Sequence, residues 1–162
     1  MLNRILIRAI FAVVLVVLSA VSGVAAGPKI KTSDMVSIAQ DKTTMHAGPG
    51  EKRPVLWELG RGVPLRIIDT QGTWLKLTDF EHDVGWVAKK QVSREPYFIV
   101  KANGNRQARI SLRKGPGPKQ EVVGEAAYGV VLKNIARKKE WVKVRHESGL
   151  TGWVRRDQLW GW

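Results

Sequence analysis

The 162-residue sequence contains no cysteine. That absence excludes disulfide staples, thiolate zinc centres, a cysteine nucleophile and lipidation at an N-terminal Cys. Histidine is scarce, with three residues, His46, His82 and His146. No HExxH zinc motif, GxSxG nucleophile elbow or GxxxxGK[ST] phosphate loop occurs, so the common hydrolytic and nucleotide-binding signatures are missing. Acidic residues are outnumbered, 14 against 27 Lys+Arg, giving a formal net charge of +13. Such an excess makes an anionic partner plausible without naming it. With 44% hydrophobic and 25% charged residues, the composition is neither that of a disordered chain nor that of a multi-span membrane protein.

Long apolar runs are confined to the N-terminus. Arg4 and Arg8 precede an uninterrupted apolar stretch, Ala9 to Val21, which is followed by small residues and Val24-Ala25-Ala26. This order of basic, apolar and small-residue regions predicts a secretory signal peptide over residues 1–26, cleaved after Ala26. The competing reading is an uncleaved anchor, because no charge falls between Arg8 and Lys29. Gly23, Gly27 and Pro28 argue against it. The expected mature protein is exported, to the periplasm or beyond, and keeps no membrane span.

The remainder repeats itself. Shifting the chain by 67 positions aligns Met45–Val92 with Leu112–Leu159 over 48 positions without a gap, and sixteen pairs are identical, among them Gly48/Gly115, Val63/Val130, Trp74/Trp141, Gly85/Gly152 and Trp86/Trp153. Average composition would give about three by chance. The chain is therefore two copies of one module, expected at residues 33–94 and 95–162. No apolar 3.6-residue period persists, whereas β-rich runs of four to six residues lie between Gly and Pro. In the first copy these predict strands at Val36–Ala39, Thr43–His46, Pro54–Glu58, Val63–Asp69, Trp74–Thr78 and Val84–Ala88. The fold class is all-β, two small barrels in tandem.

Met45-His46-Ala47-Gly48-Pro49-Gly50, Val55, Gly62-Val63, Trp74-Leu75-Lys76-Leu77 and Gly85-Trp86-Val87, with their second-copy counterparts from Leu112-Arg113 to Gly152-Trp153-Val154, closely resemble the bacterial SH3-like (SH3b) module. The resemblance covers nearly the whole mature chain. It implies an SH3-like barrel and an accessory role in binding cell wall or peptide. His46 departs from the Arg common in the family, which Arg113 keeps. The acidic and aromatic signature of eukaryotic SH3 domains for proline-rich ligands is absent.

Gly48-Pro49-Gly50 and Gly115-Pro116-Gly117 read as tight turns, Pro fixing φ and Gly allowing positive φ. Gly85 and Gly152, inside strands, predict a bulge or a close approach. If Thr78 pairs with Val84, alternation sends Leu75, Leu77 and Val87 into the core and places Trp74, Lys76 and Trp86 on the other face. The second copy then buries Val142, Val144 and Val154, leaving Trp141, Lys143, Arg145, Trp153 and Arg155 opposite. Lys143 across from Trp153, and Lys76 across from Trp86, could make cation–π contacts. Alternatively these Trp rings cap the barrel under snorkelling basic chains.

Charge separates the copies: residues 33–94 hold nine Lys+Arg and eight Asp+Glu, residues 95–162 fourteen and six. The expected ligand-binding residues are therefore Arg113, Lys143, Arg145, Trp153 and Arg155, the last four by strand parity and Arg113 by its place in the family motif. The expected function is non-enzymatic binding of peptidoglycan, its stem peptides or another anionic envelope polymer; the alternative is a protein-interaction scaffold in the envelope. Nucleic acid suits the charge and aromatics, but export removes the protein from it. No cofactor, catalytic residue or metal is expected. Asp79, Glu81, His82 and Asp83 fall in a hairpin loop without EF-hand spacing, and Ser148 beside His146 is not by itself a nucleophile and base.

Overall fold

The computed structural model describes residues 34–162 and is all-β. The expected signal segment lies outside the described residues, and among those described no helix is long and apolar enough to cross a membrane. The first module comprises β1 (Met35–Ile38), β2 (Thr43–His46), β3 (Val55–Leu59), β4 (Pro64–Gln71), β5 (Trp74–Thr78), β6 (Val84–Ala88) and β7 (Val92–Ser93). The second repeats it with β8 (Tyr97–Val100), β9 (Arg109–Arg113), β10 (Val122–Ala127), β11 (Val131–Lys138), β12 (Trp141–Arg145), β13 (Thr151–Arg155) and β14 (Leu159–Gly161). Each forms a seven-stranded antiparallel sheet in the same order, β3-β2-β6-β5-β4-β1-β7 and β10-β9-β13-β12-β11-β8-β14. The predicted strands of the first copy are all present within one to two residues, and β7 is an addition.

Strand alternation builds both cores. Thr78 pairs with Val84 and Leu75 with Val87, so Leu75, Leu77 and Val87 turn inward and are fully buried with Val36, Ile38, Met45, Leu65 and Ile67. Val142, Val144 and Val154 do the same beside Phe98, Val100, Ile110, Leu112, Leu132 and Leu159. The strand glycines mark a close approach in both copies. A Cβ on Gly85 would come 2.3 Å from Met45 Cγ, and one on Gly152 would come 2.7 Å from Leu112 Cβ. The turn glycines differ from expectation, since only Gly50 of the four has positive φ. In Gly48 and Gly115 the missing side chain makes room: a Cβ would press on the Arg53 side chain at 3.3 Å or that of Gln120 at 2.9 Å.

The first strands repeat at a spacing of 62 residues and the later ones at 67, so the second module carries five extra residues between β8 and β9. From this insertion Arg106 reaches back to the Glu81 carboxylate in the β5–β6 loop of the first module. Tyr128 Oη donates to the same Glu81 at 2.8 Å, while Phe80 lies 5.4 Å from the Tyr128 ring and 6.3 Å from Trp160. Arg66 stacks over Trp160 at 5.7 Å, and Trp162 Nε1 donates to the buried Ser37 Oγ at 3.2 Å. Gly62, with φ +83°, lets the ring of Tyr97 and Val131 pack where a Cβ would come within 2.9 Å and 3.1 Å. Aromatic packing backed by hydrogen bonds thus joins the two barrels.

Candidate binding site

In both modules one side chain closes the turn that follows the second strand. His46 Nδ1 donates to the Arg53 carbonyl at 2.9 Å, and Arg113 Nη1 donates to the Gln120 carbonyl at 2.8 Å, the same carbonyl 67 residues on. With its proton on Nδ1, His46 accepts from the Thr44 hydroxyl at Nε2, 3.0 Å away. His46 is buried and Arg113 half-buried. The exchange of His for Arg therefore preserves a turn-closing bond. Arg113 differs in having further N–H groups left over.

The outward row on β12 and β13 follows the predicted parity. Lys143 pairs with Trp153, Trp141 with Arg155 and Arg145 with Thr151, while Trp153 also meets Arg113 on β9. The five expected residues share this side of the sheet but do not converge on one point. Arg113 and Arg155, with Arg109, Pro118 and Trp141, line a hollow of about 190 Å³. Lys143 and Trp153 occupy the middle of the face, both half-buried. Arg145 stands at the far end, in another hollow that includes Arg61 of the first module. Trp141 to Arg145 spans about 13 Å at strand rise. Among the described residues Lys143, Arg145 and Arg109 have no acidic partner, whereas Arg155 is held by both oxygens of Asp157 at 3.3 and 2.7 Å. Arg109 lies outside the aligned repeat, and charge alone could have flagged it.

The cations that do stack on rings are other ones: Arg66 on Trp160, Arg106 on Tyr128, Lys133 on Tyr97 and Arg156 on Phe98. Arg156 is tied inward, donating to the Leu159 and Gly161 carbonyls at 2.8 and 3.0 Å. Burial, with Arg137 nearby, lowers its affinity for the proton. It supports β14 and is no free ligand group.

A family model described as bacterial SH3 domain matches residues 39–94 and again 106–161, more than half of the chain. The chain belongs to the bacterial SH3 domain family. It is 27% identical over 128 residues to a Bacillus subtilis (strain 168) protein named as an N-acetylmuramoyl-L-alanine amidase, YrvJ; the match covers 75% of this chain and 24% of that protein. The chain thus spans about a quarter of that relative's length. Solved structures with some likeness are an NlpC/P60 family protein from Bacillus cereus ATCC 10987, at 16% identity and TM-score 0.36 over 80% of this chain and 56% of that one, and NlpC1 from Trichomonas vaginalis, at 10% identity and TM-score 0.33 over 83% and 48%.

Within each bacterial SH3 module the titratable loop residues serve the turn. Asp79 Oδ1 accepts the Glu81 and Asp83 N–H groups, each at 2.9 Å. Burial raises the Asp79 pKa above its ordinary value, against the lowering effect of those two N–H bonds. The equivalent His146 Nδ1 accepts from the Ser148 N–H at 3.2 Å and bonds the Ser148 hydroxyl at 2.9 Å. His146 and Ser148 thus repeat the cap that Asp79 makes. Among the described residues no group of three His, Asp or Glu is placed to hold a metal ion.

Proposed function

We propose that the protein is an exported, non-catalytic binding protein of the cell envelope, and that its second module holds an anionic wall polymer, peptidoglycan in the first place. The observation that carries this reading is the row on β12, where Lys143 and Arg145 stand without acidic partners among the described residues, continued by Arg113, Trp153 and Arg155 and joined by Arg109. A line of cations about 13 Å long suits an extended polymer better than a compact anion. The corresponding first-module positions on the two hairpin strands are Lys76, Thr78, Trp86 and Ala88. Family membership, and a relative named for muramoyl-alanine cleavage, support a wall ligand.

The test is sedimentation of the protein with purified sacculi across a salt series. Lys143→Glu with Arg145→Glu should weaken binding and flatten its salt dependence. The matched pair Lys76→Glu with Thr78→Glu should do so much less. Equal losses from both pairs would remove the second module's claim. The scaffold reading has one observation in its favour: among the described residues β3 pairs with β2 alone, and its Val55, Leu56 and Trp57 are 55%, 42% and 51% exposed. An extended peptide added there would be detected as binding that ignores salt.

A further inference from the structure

The hollow over Trp74 lies in the first module, apart from the proposed anionic row. We propose that it is a second binding site, for a saccharide ring carrying a single carboxylate. One cross-strand difference sets it apart from the equivalent place in the second module. Ala88 is the partner of Trp74, whereas Arg155 is the partner of the equivalent Trp141. Trp74 is half-buried beside a hollow of about 400 Å³, against about 190 Å³ at Trp141, which is 7% exposed.

The floor is set before any ligand arrives. His46 meets Trp74 edge-on, with centroids 5.5 Å apart and planes at 86°, and His46 is itself pinned by the Arg53 carbonyl and Thr44. A plate held in this way loses little freedom on binding. Its flat apolar face, continued by Ala88, matches the C–H face of a sugar ring, and the volume is in the range of small-ligand sites.

The rim supplies the polar half. Thr73, Glu51, Lys89 and Lys90 complete the wall. Glu51 and Lys90 face each other at 3.7 Å, both side chains 77% exposed, a pair of little strength in water that ligand groups can replace. Lys89 Nζ donates to the Gly72 carbonyl at 2.6 Å, which keeps its charge at the edge. Two ammonium groups against one carboxylate leave one positive charge, which one ligand carboxylate would balance. Glu51 is then free to accept from a hydroxyl or amide N–H. A polyanion would meet Glu51 and suits the second module better. The choice of a sugar rests on the envelope reading given above; the hollow does not.

The test follows the indole N–H signals of the full-length protein by NMR, the Trp74 signal being identified with Trp74→Phe. The probes are N-acetylmuramic acid, glucuronic acid and uncharged N-acetylglucosamine at equal ionic strength. The Trp74 signal should move saturably with an acidic sugar, and the uncharged one should bind about fivefold more weakly, as loss of an exposed ion pair implies. A preference between the two acids separates a wall sugar from a uronic-acid polymer. Ala88→Arg, which sets a long side chain beside Trp74 in the hollow, should abolish the shift while sedimentation with sacculi persists. Lys90→Gln, at an exposed position that folding does not need, should bring acidic and neutral sugars within about twofold. A Trp74 signal unmoved by all three sugars, or an equal preference retained in Lys90→Gln, overturns the proposal. Loss of sacculus binding with the Trp74 shift intact would overturn the envelope reading and leave this site standing.

Discussion

Trp74 and Trp141 occupy the same place in two copies of one barrel, yet one is half-buried and the other buried. Both begin the fifth strand of their module, and both lie over a core of alternating Leu or Val residues. Their partners across the hairpin differ, Ala88 for Trp74 and Arg155 for Trp141. Duplication has kept the parts that the backbone requires: the glycines at 85 and 152, the carbonyls closed by His46 and Arg113, the capped loops at Asp79 and His146. It has let the outward row diverge. An aromatic conserved between the copies thus does two jobs, packing in one and exposing a surface in the other.

The largest effect that could break this comparison is truncation of the two rings. Trp141→Ala should cost about 3–5 kcal/mol, the range for removing a large buried aromatic. Trp74→Ala should cost less, because its side chain is less completely buried and leaves a smaller cavity behind. Thermal melts of the two variants check the order. Equal losses would mean that Trp74 packs as Trp141 does, and would take away the ground for a ligand at its face.

Next come the two strand glycines. Gly152→Ala should cost about 1–3 kcal/mol or more through overpacking, because the new Cβ meets Leu112 Cβ and the Arg113 backbone, neither of which can rotate away. Gly85→Ala meets Met45 Cγ and Sδ at 2.3 and 2.6 Å, a flexible side chain, with the nearest backbone atom at 3.1 Å. It should be the milder of the pair. Urea unfolding of both variants would show the order, and a reversed order would place the rigid contact in the first module.

Much of this was legible in the chain. A five-residue loop between Thr78 and Val84 fixes the hairpin register, and period-two alternation then sorts Leu75 and Leu77 from Trp74 and Lys76 without further information. β7 was not legible, because two residues cannot display alternation, and the joint between modules was not, because Phe80 and Glu81 are far in sequence from Tyr128 and Trp160. Parity likewise gave the face of Lys143, Arg145 and Arg155 but not their separation along it. It could not show that Asp157 neutralises Arg155, nor that Arg113 spends one N–H on Gln120. Arg109 was missed because it opens β9, just ahead of the aligned repeat that begins at Leu112.

The smallest effect concerns a turn. Gly72 has φ +55° between β4 and β5, and the equivalent Lys139 takes φ +53° between β11 and β12. The left-handed region disfavours a side chain by about 1–2 kcal/mol, while glycine loses more backbone freedom on folding, offsetting about half of that. Lys139 is exposed and has no acidic partner among the described residues, so little else would be lost. Lys139→Gly should therefore stabilise the second module by about 0.5 kcal/mol, and Gly72→Lys should destabilise the first by a similar amount. Melts at high salt, where the charge difference is screened, isolate the backbone effect. A loss of stability in Lys139→Gly would mean that the lysine side chain holds its turn through contacts that glycine lacks.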